Sequence, residues 1–138
     1  MNRYFSDEIR QLVTIRASGL CEYCRMPDEF SFFSFHIDHI ISIKHGGKSE
    51  PDNLAYSCPY CNRNKGTDIA SILLPGNEVI RFFNPRIDNW PAHFQFENAR
   101  IRPLTDIGKV TLLILGFNHT ERIEERQILI DSGRHIFE

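Results

Sequence analysis

The sequence predicts an α+β fold in which a four-cysteine frame surrounds a short pair of strands, with helices on either side. Three observations point there. Two Cys-x2-Cys pairs, Cys21/Cys24 and Cys58/Cys61, stand 33 residues apart. Between them, Phe32 to Ile41 is rich in aromatic and β-branched residues, the composition of a strand. Apolar residues at helical spacing flank this stretch.

The chain has 138 residues, which favours one domain with a modest core, and 11 Phe supply bulk for it. Its 16 basic and 18 acidic residues leave a net charge of −2. The halves 1–70 and 71–138 each hold 8 basic and 9 acidic residues, so no basic tail hides in the average. No general attraction for polyanions follows from it, and any nucleic acid must be held by local charge or by metal. The opening MNRYFSDEIR has no apolar stretch of signal-peptide length, and the run Leu112 to Leu115 is too short to span a bilayer. A soluble, cytoplasmic protein with no membrane partner is expected. In that reducing compartment four Cys are not expected to form structural disulfides.

In chain order, residues 6–18 read as a helix: Ser6 caps it, Asp7 and Glu8 suit its first turn, and Ile9, Leu12 and Val13 share a face. Gly19 stops it. Cys21 to Cys24 forms a tight turn, and residues 27–31 a loop. The strand from Phe32 to Ile41 is followed by a loop from Lys44 to Asn53, marked by Gly46-Gly47 and Pro51. A second strand covers Leu54 to Ser57. Pro59 fits a helix's first turn, so a helix covers 59–65, with a further helical stretch after Gly66 to Leu73. Pro75-Gly76 turns the chain. Glu78 to Phe83 reads as extended and Asn84 to Pro91 as irregular. His93–Phe96 and Arg100–Leu104 form a hairpin. Thr105 caps a helix to Leu115 that Gly116 closes, and residues 120–130 form a charged helix.

The cysteine spacing is that of a tetrahedral four-cysteine zinc site, each x2 turn bringing two thiolates to one side of an ion. Such a closed site folds the chain and performs no catalysis. A redox pair or four unrelated buried thiols are the plainer alternatives. The interval is longer than a simple zinc ribbon's, so it carries an insert.

That insert contains Asp38-His39 at a strand end, Asn53-Leu54 before the second strand, and then Cys58-x2-Cys61-Asn62-x2-Lys65-Gly66. In order and spacing these resemble the HNH endonuclease family, the ββα-metal nucleases, over about residues 10–70. The resemblance implies a metal-dependent endonuclease that hydrolyses DNA and leaves 5′-phosphate and 3′-hydroxyl ends. It implies a ββα-metal core stapled by structural Zn2+ in residues 1–74, with residues 75–138 as an α/β appendage packed on the same domain. His39 is the expected general base, since neutral imidazole is the best base available near pH 7. Asp38 and Asn62 are expected to hold one divalent ion through oxygen ligands, which suits Mg2+ or Mn2+. Asn62 stands where the family often has a His ligand, which favours a harder ion. Asn53 is the family's middle Asn, expected to fix the loop and hold the His39 backbone or ring. An ordinary turn Asn is its plain reading.

Neighbours in a strand face opposite ways, so Asp38 and His39 converge only if the strand ends or bulges there. Otherwise His39 continues the face of Phe33, Phe35 and Ile37 as a core histidine. His36 shares a face with Asp38 as a further metal ligand, a phosphate contact or a surface histidine. Lys65 reaches a phosphate or is a solvated lysine at a helix end. Phe82, Phe83, Trp90, Phe94 and Phe96 are read as packing against the zinc module. Arg81, Arg86, Arg100 and Arg102 are phosphate contacts or scattered surface arginines. The rival to the nuclease is a non-catalytic zinc module that binds nucleic acid or a protein and needs only the four cysteines.

Overall fold

The opening helix forms for local reasons. In the computed structural model, which describes residues 5–138, α1 spans Asp7–Ala17. The Ser6 hydroxyl accepts the Ile9 N–H at 3.2 Å, satisfying a donor that the first turn leaves open. Asp7 and Glu8 lie where the helix dipole favours negative charge. Ser18 closes the helix in the left-handed region, at φ 55°. The buried Val13 packs in a core with Phe5 and Leu54, and Ile9, Ile37 and Tyr56 surround it.

The two predicted strands pair with each other. Strand β1 (His36–His39) runs antiparallel to β2 (Leu54–Ser57), with Ile37 opposite Tyr56 and His39 opposite Leu54. β1 is shorter than the aromatic run that predicts it: Phe32 to Phe35 precede the strand, and Phe32 and Phe33 are exposed. Gly46, at φ 88°, and Gly47 turn the connecting loop. Gly47 passes so close to the Ile41 carbonyl that a Cβ there would overlap it. Helix α2 (Pro59–Lys65) starts from Cys58 as N-cap with Pro59 in its first turn, as the sequence predicts.

The outer edge of β2 is satisfied without a third strand. Glu22 donates its N–H to Tyr56 O at 2.8 Å, and its Oε1 accepts the Tyr56 N–H at 2.9 Å. Leu54 O accepts from Arg16 at 2.8 Å and from Arg86 at 3.0 Å, and Arg86 also pairs with Glu22. An edge covered in this way is closed to pairing with another chain. Glu22→Ala removes the acceptor of a backbone N–H and the counter-charge of Arg86. It is expected to lower the unfolding free energy by about 2 kcal/mol. A urea midpoint equal to wild type would show that the backbone contact alone holds the edge.

The chain divides into two compact units. The first comprises residues up to Ile69 together with Asn84–Arg86, so Arg86 belongs to the unit it clasps. The second comprises Ala70–Phe83 and Ile87–Glu138. Within it, β3 (Ala70–Ile72) pairs antiparallel with β4 (Val79–Arg81). α3 (Trp90–His93) leads into the hairpin of β5 (Phe94–Glu97) and β6 (Arg100–Pro103). α4 (Asp106–Leu115) and α5 (Thr120–Asp131) complete it. The Thr105 cap holds, its hydroxyl accepting the Gly108 N–H at 3.0 Å.

Two expectations here are corrected. The stretch read as helix to Leu73 is strand β3, because Ile72 and Ser71 find partners in Val79 and Ile80 across the Pro75-Gly76 turn. The segment read as irregular ends in α3, where Pro91 sits in the first turn that tolerates it. The aromatics of this half stack on one another: Trp90 lies 5.0 Å from both Phe94 and Phe96, and Phe94 5.4 Å from Phe83 and Phe117. They build the second unit's own core. Two of its arginines are also held internally, Arg81 in a two-pronged pair with Asp88 and Arg102 on Gln95. The fold is therefore α+β, with helices and small antiparallel sheets. No described helix is long and apolar enough to cross a membrane.

Candidate active site and metal centre

The four cysteines meet. Cys21 and Cys24 lie on the turn after α1, Cys58 and Cys61 at the start of α2, and all four are buried. Their sulfurs lie within 4.8 Å of one another, and Cys24 Sγ is 3.7 Å from Cys58 Sγ. Metal–sulfur bonds of 2.3 Å in a tetrahedron put sulfurs about 3.8 Å apart, so the set fits structural zinc. In each pair the second cysteine's N–H points at the first one's sulfur, at 3.5 Å from Cys24 and 3.4 Å from Cys61. Burial pushes the Cys21 and Cys61 thiols well up. A bound cation is what lets such a cluster ionise.

Asp38 is buried in the middle of β1 beside this centre. Its Oδ2 accepts from Tyr23 Oη at 3.3 Å and pairs with Lys65 Nζ at 3.0 Å. Both partners come from the metal frame: Tyr23 lies between two of the cysteines, and Lys65 ends the helix that the other two begin. Burial raises the Asp38 carboxyl above its ordinary value, against the pull of Lys65 and Tyr23. Lys65 is only 2% exposed and also donates to His39 O at 2.9 Å. It is neither at a solvated helix end nor turned outward to a phosphate. Its ammonium is an internal cation of the site.

His39 ends β1, which runs in register to that residue without a bulge. Its ring lies on the face of Ile37, 5.3 Å from Phe5, and Nε2 is 2.8 Å from Ser49 Oγ. Burial pushes the imidazole below its ordinary value, offset in part by Asp38. The shift favours the uncharged, base-competent form. Asn53 clamps the loop between the strands. Its Oδ1 accepts the Ile41 N–H, and its Nδ2 donates to Ile41 O and Lys48 O, all at 2.9 Å. These bonds tie Asn53 to both ends of the loop. The His39 carbonyl is instead held by Lys65 and its ring by Ser49.

Asn62 lies on α2 three residues before Lys65, hence on the same helix face, and α2 packs against β1. His36 is exposed at the head of β1, away from the strand end where His39 sits. Tyr23 and Ser49 carry contacts to Asp38 and His39 that spacing alone does not flag.

Residues 21–68, from the first ligand cysteine to just beyond α2, match the family model described as HNH endonuclease. No curated protein and no solved structure is a significant match to the chain.

Proposed function

We propose that the HNH endonuclease domain carried by residues 21–68 is a working metal-dependent nuclease that hydrolyses phosphodiester bonds in DNA. The observation that carries the reading is His39 at the end of β1, its ring held by Ser49, next to Asp38 on the strand against which the helix of Asn62 packs. His39 takes the proton of the attacking water. Asp38 and Asn62 offer a carboxylate and an amide oxygen, a hard donor set that would hold one Mg2+ or Mn2+. Such an ion supplies Lewis-acid stabilisation of the leaving 3′ oxygen. Asn53 keeps the loop that carries Ser49 in place. The chemistry belongs to residues 1–74, and residues 75–138 serve as an appendage.

Supercoiled plasmid incubated with and without added Mg2+ or Mn2+ tests the reading. His39→Ala is expected to lower nicking by about a hundredfold or more, with zinc content and melting temperature kept, because His39 lies outside the cysteine frame. Wild-type turnover in that variant sinks the mechanism. The second reading, a non-catalytic zinc module that binds nucleic acid or a protein, is favoured by the Asp38–Lys65 pair, which already gives the carboxylate a cation. It predicts no cleavage by a folded, zinc-loaded chain.

A further inference from the structure

Three phenylalanines between the cysteine pairs, Phe30, Phe32 and Phe33, are exposed, Phe32 at 94% and Phe33 at 69%. Adjacent bare aromatic rings mark a binding surface more often than chance. These two are held in place. The Ser31 hydroxyl donates to Phe33 O at 2.7 Å and accepts the Phe33 N–H at 3.3 Å, and the two rings meet edge to face at 5.2 Å.

Both rings border a groove of about 410 Å³, within the range of small-ligand sites. The rest of its lining is mostly polar and includes Arg10, Asp28, Ser34 and His36. Arg10 Nε is buried with no hydrogen-bond partner among the described residues, while the outer end of its guanidinium pairs with Asp7 at 3.4 Å. An apolar helix or a second hydrophobic surface would strand these groups. A flat aromatic ligand with hydrogen-bonding edges and a phosphate would use them: rings against rings, polar edges on Asp28 and Ser34, phosphate on Arg10 and His36.

We propose that this groove binds an unpaired nucleotide of the substrate strand. The reading rests on the nuclease function and narrows its substrate to DNA with a single-stranded segment beside the cleaved bond. Ile37 lines the groove and shares its strand face with His39, so a strand of nucleic acid leaving the groove along that face of β1 runs towards His39. A paired base has its faces covered by stacking and cannot lie on the rings without leaving the duplex.

The test uses the full, zinc-loaded chain without added divalent ion. Its probes are a short single-stranded oligonucleotide containing 2-aminopurine and the corresponding duplex. The wild type is expected to bind the single strand more tightly and to change the 2-aminopurine fluorescence. Phe32→Ala combined with Phe33→Ala should weaken single-strand binding by about tenfold or more and abolish that change, while Phe32→Trp keeps both. The rings are exposed, so the double variant should melt with wild type. Equal single-strand affinity in the double variant, or no preference over duplex in the wild type, overturns the proposal. So does a double variant that only converts a dimer to a monomer in sedimentation, which would make the face a contact between copies. Plasmid nicking is followed in parallel. Phe-dependent binding without wild-type cleavage removes the nuclease reading and leaves the groove. Cleavage with Phe-independent binding does the reverse.

Discussion

Cys58→Ser is expected to empty the zinc site and unfold the unit that carries the candidate active site. Structural zinc in small domains contributes roughly 10–16 kcal/mol of apparent binding energy. That matches or exceeds the roughly 5–15 kcal/mol by which whole domains are stable. The substitution isolates the metal from the helix cap. Cys58 is also the N-cap of α2, its sulfur facing the Cys61 N–H. Serine is among the best N-cap residues, so the cap survives and the metal does not. Loss of the ion should also loosen Asp38, because Tyr23 and Lys65 both reach it from the cysteine-bearing elements. Zinc per chain measured by metal analysis should fall from one towards none, with melting of β1, β2 and α2 followed by hydrogen exchange. A zinc-free Cys58→Ser protein that protects those amides as well as wild type would remove the structural role of the metal.

What could be read from the sequence is what has a local cause. The Ser6 and Thr105 caps, the Cys-x2-Cys turns, Pro59 in a first turn and the strand from Leu54 to Ser57 each depend on residues a few positions apart. What escaped depends on distant partners. β3 is a strand because Val79 and Ile80 lie beside it, and nothing between Ala70 and Ile72 says so. Arg86 looks like one more surface arginine, yet it clasps Glu22, 64 residues away in sequence. The strand is shorter than the run from Phe32 predicts because composition is blind to the Ser31 turn, and Phe33 lies outside the ladder. In the candidate site, spacing named Asp38 and His39. Their immediate partners, Tyr23 and Ser49, were invisible because a tyrosine between two cysteines and a serine in a loop carry no pattern of their own.

The Asp38–Lys65 pair sets the second large expectation. Lys65→Met keeps the stem's volume and removes the charge, leaving a buried carboxylate without its cation. Breaking a buried pair in this way costs about 3–5 kcal/mol, which a urea titration at neutral pH would read directly. The sign of the pH dependence separates this cause from simple mispacking. Burial already holds the Asp38 carboxyl above its ordinary value, and Lys65 pulls it down. Without Lys65 it rises further. The folded variant then binds a proton more tightly than the unfolded chain, so its deficit is full above the raised value. As pH falls through that value towards the ordinary carboxylate range, the deficit shrinks, because a neutral acid needs no counter-charge. Asp38→Asn added to Lys65→Met should recover most of the loss and flatten the profile. A packing defect would persist at every pH and in the double variant. Under the proposed ion site, Mn2+ should also raise the melting temperature of Lys65→Met at neutral pH, since it returns the positive charge to Asp38. That recovery should vanish in the double variant. Stability indifferent to Mn2+ in both would mean that the carboxylate serves the fold through Lys65 and holds no ion.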